Sequence, residues 1–157
     1  MLDEKGRYTV IRDTREKAGQ GWSFSHSTRC TGTKEQKLNT GDYSLLGYED
    51  LFTIERKGSV NEFAGNITQK RFQNEIERLM EFKYRFIIIE ASFGKIINYP
   101  HGCGLSPHVI RKIRVSGNFI LSKITEYEIK YGISIIVADQ YGKEIASQIF
   151  KRIVDNA

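Results

Sequence analysis

Two largely apolar runs constrain the fold of this chain most strongly. They extend from Arg85 to Ala91, around the wholly apolar Phe86–Ile89, and from Ile133 to Ala138, with little alternation between apolar and polar residues. Strands with this pattern are buried on both faces, whereas a strand with one wet face alternates with a period of two. We therefore expect a sheet that is covered on both sides. Both runs are far shorter than the ~20 apolar residues that a helix needs to cross a bilayer, so we expect no membrane span.

Further strands are predicted from shorter apolar runs. They cover Tyr8–Arg12, Asp42–Leu46 and Leu51–Lys57, and a tight turn joins the last two into an antiparallel pair. The segment Trp22–Thr40 has no helical period and is rich in Gly, Ser, Thr and Lys. We expect it to be a long loop, either mobile or functional.

Helix signals fill the intervals between the strands. Ser59, followed three residues later by Glu62, forms a capping box at a helix start. Further helices are predicted over Phe72–Lys83, over Ser106–Tyr131 with a break at Ser116–Gly117, and over Lys143–Asn156. The alternation of strands and helices predicts an α/β fold in which helices flank a mixed central sheet. At 157 residues we expect one domain, residues 1–157.

Charge and cysteine content narrow the function classes. The chain has 24 Lys and Arg against 19 Asp and Glu, and this net charge of +5 suits a polyanionic partner such as nucleic acid. Two cysteines are too few for a disulfide framework, and none of the His and Cys residues has the paired spacing of a zinc site. The acidic N-terminus does not resemble a secretory signal, so we expect a cytoplasmic, non-secreted protein.

Four acids lie near the ends of the early strands: Asp13, Glu16, Asp42 and Glu55. Hard divalent ions such as Mg²⁺ take oxygen ligands, and one or two carboxylates with water and substrate phosphate suffice. Lys57 follows Glu55 by two residues, so both side chains lie on one face of the strand. A lysine there could activate water or neutralise charge on a phosphodiester. Without the spacing of the motifs, such acids are more often solvated carboxylates at strand ends.

Three motifs in order make the pattern more specific: Asp13-Thr14-Arg15-Glu16, Gly41-Asp42-Tyr43 and Glu55-Arg56-Lys57. This order resembles the nuclease domain of XPF-type structure-specific endonucleases, the ERCC4 domain. The resemblance implies a restriction-endonuclease-like three-layer fold and Mg²⁺- or Mn²⁺-dependent cleavage of DNA phosphodiesters at branched, flap or junction structures. It also implies possible pairing of nuclease domains into a homodimer.

Carried over by position, the resemblance makes Asp42 and Glu55 the central metal ligands and Lys57 the catalytic lysine. Asp13 becomes a supporting acid and further metal ligand, and Glu16 a supporting acid. The chain departs from the family where an aspartate usually follows the lysine by four residues, because Asn61 stands there, with Glu62 next to it.

Four residues are candidates for DNA contacts. Arg15, Arg56 and Arg71 are similar to family arginines that engage phosphate or hold the site together. Trp22, in the polar loop, is a candidate for stacking on unpaired bases. The larger relatives carry helix-hairpin-helix domains, for which 157 residues leave no room, so we expect a stand-alone form like those of phages or prokaryotes. The alternative is a nucleic-acid-binding domain or partner subunit that keeps the fold but does not cut DNA.

Overall fold

The structure, a computed structural model, describes residues 6–16 and 19–157. Its strands are β1 (Tyr8–Arg12), β2 (Cys30–Glu35), β3 (Tyr43–Leu45), β4 (Phe52–Lys57), β5 (Tyr84–Ile89) and β6 (Ser134–Val137). Its helices are α1 (Val60–Asn66), α2 (Lys70–Leu79), α3 (Phe93–Ile97), α4 (Pro107–Ile110), α5 (Gly117–Tyr131) and α6 (Gly142–Asn156). None of these helices is long and apolar enough to span a membrane.

The strands form one sheet in the order β2-β1-β3-β4-β5-β6. The pairs β1–β3 and β3–β4 are antiparallel, whereas β1–β2, β4–β5 and β5–β6 are parallel. The sheet is therefore mixed, as predicted. Because β4 and β5 run in the same direction, the segments that follow them leave the sheet at the same edge.

Strand β2 lies within the segment Trp22–Thr40, so the prediction of a loop there was wrong for Cys30–Glu35. Its sequence, Cys-Thr-Gly-Thr-Lys-Glu, has no apolar alternation because it is a largely solvated edge strand. Pairing with β1 supplies its backbone hydrogen bonds, and the register of that pairing shifts between Tyr8 and Val10.

Helices cover both faces of the sheet, as the apolar runs predicted. In β5, Ile87 and Ile89 point into one core, which α1, α2, α3 and α5 complete. Ile88 points into the other core, beneath α6, and all three isoleucines are fully buried. The apolar face of α6, with Phe150 at its centre, is thus used against the chain's own sheet.

Hydrogen bonds at the helix starts confirm most of the capping predictions. The hydroxyls of Ser59, Ser106 and Ser116 each accept a backbone N–H from three residues further on, and Gly132 ends α5 in the left-handed conformation with φ 61°. One detail of the capping box differs. The Glu62 carboxylate accepts the N–H of Gly58 at 3.1 Å instead of the N–H of Ser59. The short helix α3 was not predicted, and α2 ends at Leu79, before the predicted end at Lys83.

Candidate active site

A cavity of about 530 Å³ opens where β3 and β4 meet α1 and α2. Its lining is unusually rich in charged groups. The acids are Asp13, Asp42, Glu55, Glu62 and Glu75, and the bases are Arg15, Lys57, Arg71 and Arg78. The structure therefore brings four of the five predicted catalytic residues into one cleft, and places the fifth, Glu16, beside Asp42 and Glu55 in an adjoining depression.

Strand pairing sets Asp42 next to Glu55. Asp42 immediately precedes β3, and its N–H donates to the carbonyl of Ile54 in β4 at 2.8 Å. Gly41, with φ +87°, allows the chain to approach β4 closely, since a Cβ there would lie 1.9 Å from Thr53 Oγ1. The two acids are thus positioned by the backbone of an antiparallel pair, which holds them more firmly than a loop would.

The alternation along β4 separates its charged residues as predicted. Lys57 lies over the ring of Phe72 in α2, 4.6 Å from its centroid. Arg56 lies on the other side of the sheet, over the ring of Trp22. Glu55 therefore shares the cleft with Lys57, and Arg56 does not.

The electrostatics of Asp42 and Glu55 oppose ionisation. Burial raises the pKa of Asp42 well above its ordinary value, and the charges of Glu55 and Glu16 raise it further, although the N–H of Arg56 donates to Asp42 Oδ2 at 2.7 Å. Burial also raises the pKa of Glu55 to about 7, with Lys57 lowering it and Glu75 adding to the rise. Two adjacent carboxylates that resist ionisation are stabilised by a nearby positive charge.

Lys57 supplies one such charge. Its side chain is 6% exposed, and its Nζ lies 3.2 Å from Glu55 Oε1 and 3.9 Å from Glu62 Oε1. A buried ammonium requires partners of this kind. Its position at the cleft wall lets it meet an incoming phosphate while it remains paired with Glu55.

Asp13 is held by hydrogen bonds from protein groups on both carboxylate oxygens. Oδ1 accepts the N–H of Leu38 at 2.7 Å, and Oδ2 accepts the N–H and Nε–H of Arg15 at 3.0 and 2.8 Å. Burial acts to raise the pKa of Asp13, but these hydrogen bonds outweigh it and the pKa is lowered. The predicted role of metal ligand does not fit this arrangement, since a metal would have to displace those donors. Asp13 instead positions Arg15.

The Arg56 guanidinium is engaged with two carboxylates behind the cleft. Its Nε lies 2.6 Å from Glu90 Oε1, and its Nη1 lies 3.6 Å from Glu16 Oε1. The indole N–H of Trp22 donates to the same Glu90 oxygen at 3.1 Å. Arg56 therefore holds the site together, the second of the two roles expected for it, and does not face a ligand in the cleft. Glu90 directly follows the buried strand β5, and an acid in such a position requires a partner, which Arg56 provides.

The position of Trp22 does not fit the predicted role of stacking on unpaired bases. Its side chain is buried, its ring stacks on that of Tyr43 with centroids 4.8 Å apart, and its backbone N–H donates to the Tyr43 hydroxyl at 2.5 Å. The loop sequence around it is polar, but the ring turns inward onto the sheet. This position does not suit stacking on a DNA base.

The family profile of the ERCC4 domain matches residues 12–145, which include the acids, Lys57 and Glu90. The chain belongs to the ERCC4 domain family. The ERCC4 domain family is a family of nuclease domains. No match was found among curated protein sequences.

Solved structures share the fold of this ERCC4 domain. XPF from Aeropyrum pernix aligns at 21% identity and a TM-score of 0.64, covering 94% of this chain and 65% of that chain. XPF from Aeropyrum pernix in complex with DNA aligns at 23% identity and a TM-score of 0.66, covering 95% and 66%. The restriction-endonuclease-like fold is thereby confirmed. The chain spans just under two thirds of the length of these XPF chains.

One face of α2 contributes a row of charges to the ERCC4 site that the motifs did not indicate. Arg71, Glu75 and Arg78 all line the cleft, and their spacing of four and three residues places them on one side of a helix. Of these, only Arg71 was a predicted site residue. The spacing could have identified Glu75 and Arg78 once Arg71 was placed in the site.

The donor set fits a divalent ion held by two carboxylates. Among the described residues, no three His, Cys, Asp or Glu side chains converge as a metal-binding group. Asp42 and Glu55, however, lie next to each other in the cleft, and burial raises the pKa of both, so a nearby positive charge would favour their ionised forms. Mg²⁺ commonly takes one or two carboxylates and completes its shell with water and phosphate oxygens. The pair therefore fits such an ion.

Proposed function

We propose that this ERCC4 domain is an Mg²⁺- or Mn²⁺-dependent DNA endonuclease that hydrolyses phosphodiester bonds at branched, flap or junction structures. The observation that carries the proposal is the pairing of Asp42 and Glu55, two carboxylates with raised pKa, beside the buried ammonium of Lys57 in an open cleft. Perturbed acids next to a cation in a cleft are typical of catalytic sites.

Asp42 and Glu55 would hold the divalent ion. When bound, that ion would offset the charge of the two carboxylates and act as a Lewis acid toward the phosphodiester. Asp42 is oriented for this role by the N–H of Arg56, which leaves its other oxygen free of that bond. Glu55 is oriented by its ion pair with Lys57.

Lys57 would neutralise the negative charge that builds on the phosphate as the P–O bond is cleaved. Such a contact is strong because the ammonium is buried and already aimed at the cleft. Arg15, Arg71 and Arg78 would hold the neighbouring phosphates. The Arg15 side chain is 61% exposed at the rim and is oriented by Asp13, so it presents a fixed charge to solvent.

The proposal is tested by cleavage of flap, fork, four-way and linear DNA with Mg²⁺ or Mn²⁺. Asp42→Asn and Glu55→Gln should abolish cleavage without unfolding the protein, and EDTA should do the same for the unaltered chain. Glu128→Gln, on the exposed side of α5, is the matched control and should cut normally. Full activity in Asp42→Asn, in Glu55→Gln or in EDTA would refute the mechanism.

The second candidate is a DNA-binding domain of the same fold that does not cut. The observation in its favour is that Asp13 is fully engaged by Arg15 and Leu38, so of the three predicted metal ligands two, Asp42 and Glu55, are available to hold an ion. Binding to the same substrates without cleavage in either metal would support this candidate. Pairing of two copies through this domain stays a prediction, which sedimentation of the purified chain would test.

A further inference from the structure

The net positive charge of the chain is concentrated in one segment. Residues 91–125 contain five of the 24 Lys and Arg residues and none of the 19 Asp and Glu residues, so the rest of the chain carries 19 of each. The whole formal charge of +5 thus resides in a stretch of 35 residues, which we call the basic segment. A concentration of this kind is the electrostatic footprint of a polyanion-binding surface.

The basic segment starts beside β4, the strand that carries Glu55 and Lys57. The N–H of Glu90, the residue before it, donates to the carbonyl of Lys57 at 2.8 Å. Because β4 and β5 are parallel, the segment leaves the sheet at the edge where Glu55 and Lys57 line the cleft.

A second tether brings the basic segment back to the cleft wall. The side-chain amide of Asn61 in α1 donates to the carbonyl of Cys103 at 3.0 Å. Asn61 is next to Glu62, which lines the cleft. The Cys103 thiol in turn lies 3.6 Å from the carbonyl of Lys95 and 3.5 Å from that of His101. These contacts hold Cys103 and the backbone of Lys95 close to the wall of the cleft, and Arg111, Lys112 and Arg114 follow Cys103 within eleven residues.

Most of the charges of the basic segment are available to a ligand. Lys95, Arg111, Lys112 and Arg114 are all exposed. Within residues 6–16 and 19–157, no carboxylate lies within 4.0 Å of any of the four. Of the five Lys and Arg residues in the segment, Lys123 is the one with an acidic partner, Glu126 at 3.0 Å. Arg111, Lys112 and Arg114 lie within four residues of one another, and like charges without acidic partners repel one another, so an anionic ligand would be favourable there.

We infer that Lys95, Arg111, Lys112 and Arg114 bind the phosphate backbone of a duplex DNA arm that extends from the cleft. The inference rests on the proposed function and adds to it the path of the substrate. A duplex is favoured over a single strand because residues 100–115, which precede and include Arg111, Lys112 and Arg114, contain no Phe, Tyr or Trp; the exposed rings of the basic segment, Phe93 and Phe119, lie outside that stretch. Single-strand sites combine basic grooves with aromatic platforms for the bases, whereas duplex backbones need phosphate contacts alone.

The test is a triple variant, Arg111→Gln, Lys112→Gln and Arg114→Gln, in the full chain. Binding to a fluorescent duplex is measured by anisotropy over a series of salt concentrations in EDTA, where cleavage does not interfere. We expect affinity to fall roughly tenfold or more at 0.1 M salt. The slope of log K against log salt should become shallower by about two to three, since each phosphate contact contributes about 0.9.

A matched triple variant controls for the loss of three charges. Lys83→Gln, Lys130→Gln and Arg152→Gln are exposed positions outside the basic segment and the cleft, and should leave affinity and slope nearly unchanged. Thermal unfolding of both variants should match that of the unaltered chain, because all six side chains are exposed.

Three outcomes would overturn the inference. One is an unchanged affinity and slope in the first variant, and another is an equal change in both variants. The third is loss of binding to a single-stranded oligonucleotide with duplex binding intact, which would assign the surface to single strands. If the unaltered chain binds no DNA of any form, the proposed function fails together with this inference. Duplex binding that the first variant leaves unchanged refutes the inference alone.

Discussion

Replacing Glu55 with Gln should make the metal-free protein more stable at alkaline pH. The Glu55 side chain is 13% exposed, and burial, with Glu75 adding to it, raises its pKa to about 7 despite the nearby ammonium of Lys57. Glutamine has the size of the protonated acid and never ionises. The variant therefore removes a charge that the folded protein disfavours.

The size of this stabilisation follows from the difference between the pKa of Glu55 in the unfolded chain and its pKa in the folded protein. Glu55 ionises near 4.5 in the unfolded chain and near 7 in the folded protein, a difference that corresponds to about 3 kcal/mol. Below pH 4.5 both states hold the proton, so the variant has no advantage from this source. As the pH rises toward 7 the unfolded state ionises first and the unaltered protein loses stability relative to the variant. Above pH 7 the difference should be constant.

Urea unfolding in EDTA at pH 4, 6 and 8 measures this effect. The free energy of unfolding of Glu55→Gln should exceed that of the unaltered chain by about 3 kcal/mol at pH 8, and the gap should close toward pH 4. Glu128→Gln, at an exposed position, should stay within about 0.5 kcal/mol of the unaltered chain at every pH. Adding Mg²⁺ should stabilise the unaltered chain and not Glu55→Gln, since a ligand stabilises only the state that binds it.

Two results would refute this reasoning. If Glu55→Gln is no more stable at pH 8 than the unaltered chain, the surroundings of Glu55 do not disfavour its ionised form. If the gap between them is the same at pH 4 and pH 8, its origin is packing and not ionisation.

Three further substitutions test the surroundings of the site. Asp13→Asn should lower the free energy of unfolding by about 2 kcal/mol at pH 7, as measured in urea. Because its pKa is lowered in the fold, that loss should shrink as the pH falls through the folded pKa. Tyr43→Phe should cost about 1–3 kcal/mol in the same assay, because the buried N–H of Trp22 loses its acceptor; an unchanged value would mean that water replaces the hydroxyl. Gly41→Ala should lower both the melting temperature and cleavage, because the new Cβ would meet Thr53 Oγ1; normal activity and stability would show that the turn can move at little cost.

The strands and helices that could be predicted from sequence are those whose residues carry a local pattern, either of apolar side chains or of helix-capping groups. The run Phe86–Ile89 is apolar on both faces because helices cover both faces of the sheet. The capping serines mark helix starts because their hydroxyls accept N–H groups only three residues further along the chain. Strand β2 escaped prediction for the opposite reason. It is held by backbone hydrogen bonds to β1, and such bonds produce no recognisable residue pattern in an edge strand whose side chains mostly face water.

The site was predicted in the same uneven way. The alternation of β4 alone places Glu55 and Lys57 in the cleft and Arg56 behind it, because side chains alternate along any strand. Trp22 was misplaced because a polar neighbourhood in sequence was taken as a polar neighbourhood in space. Glu75 was missed because its relation to Glu55 exists only after α2 packs against β4.

The sequence by itself determined the covered sheet, the helix starts and the three motifs that place this chain in the ERCC4 domain family. These depend on periodicity and on short-range chemistry, both of which are local. Only the tertiary structure decided how each acid is used: Asp13 holds Arg15, Glu16 and Glu90 hold Arg56, and the Asp42–Glu55 pair is left facing the cleft. The role of a carboxylate is set by its burial and by the donors that reach it, and those come from parts of the chain far away in sequence.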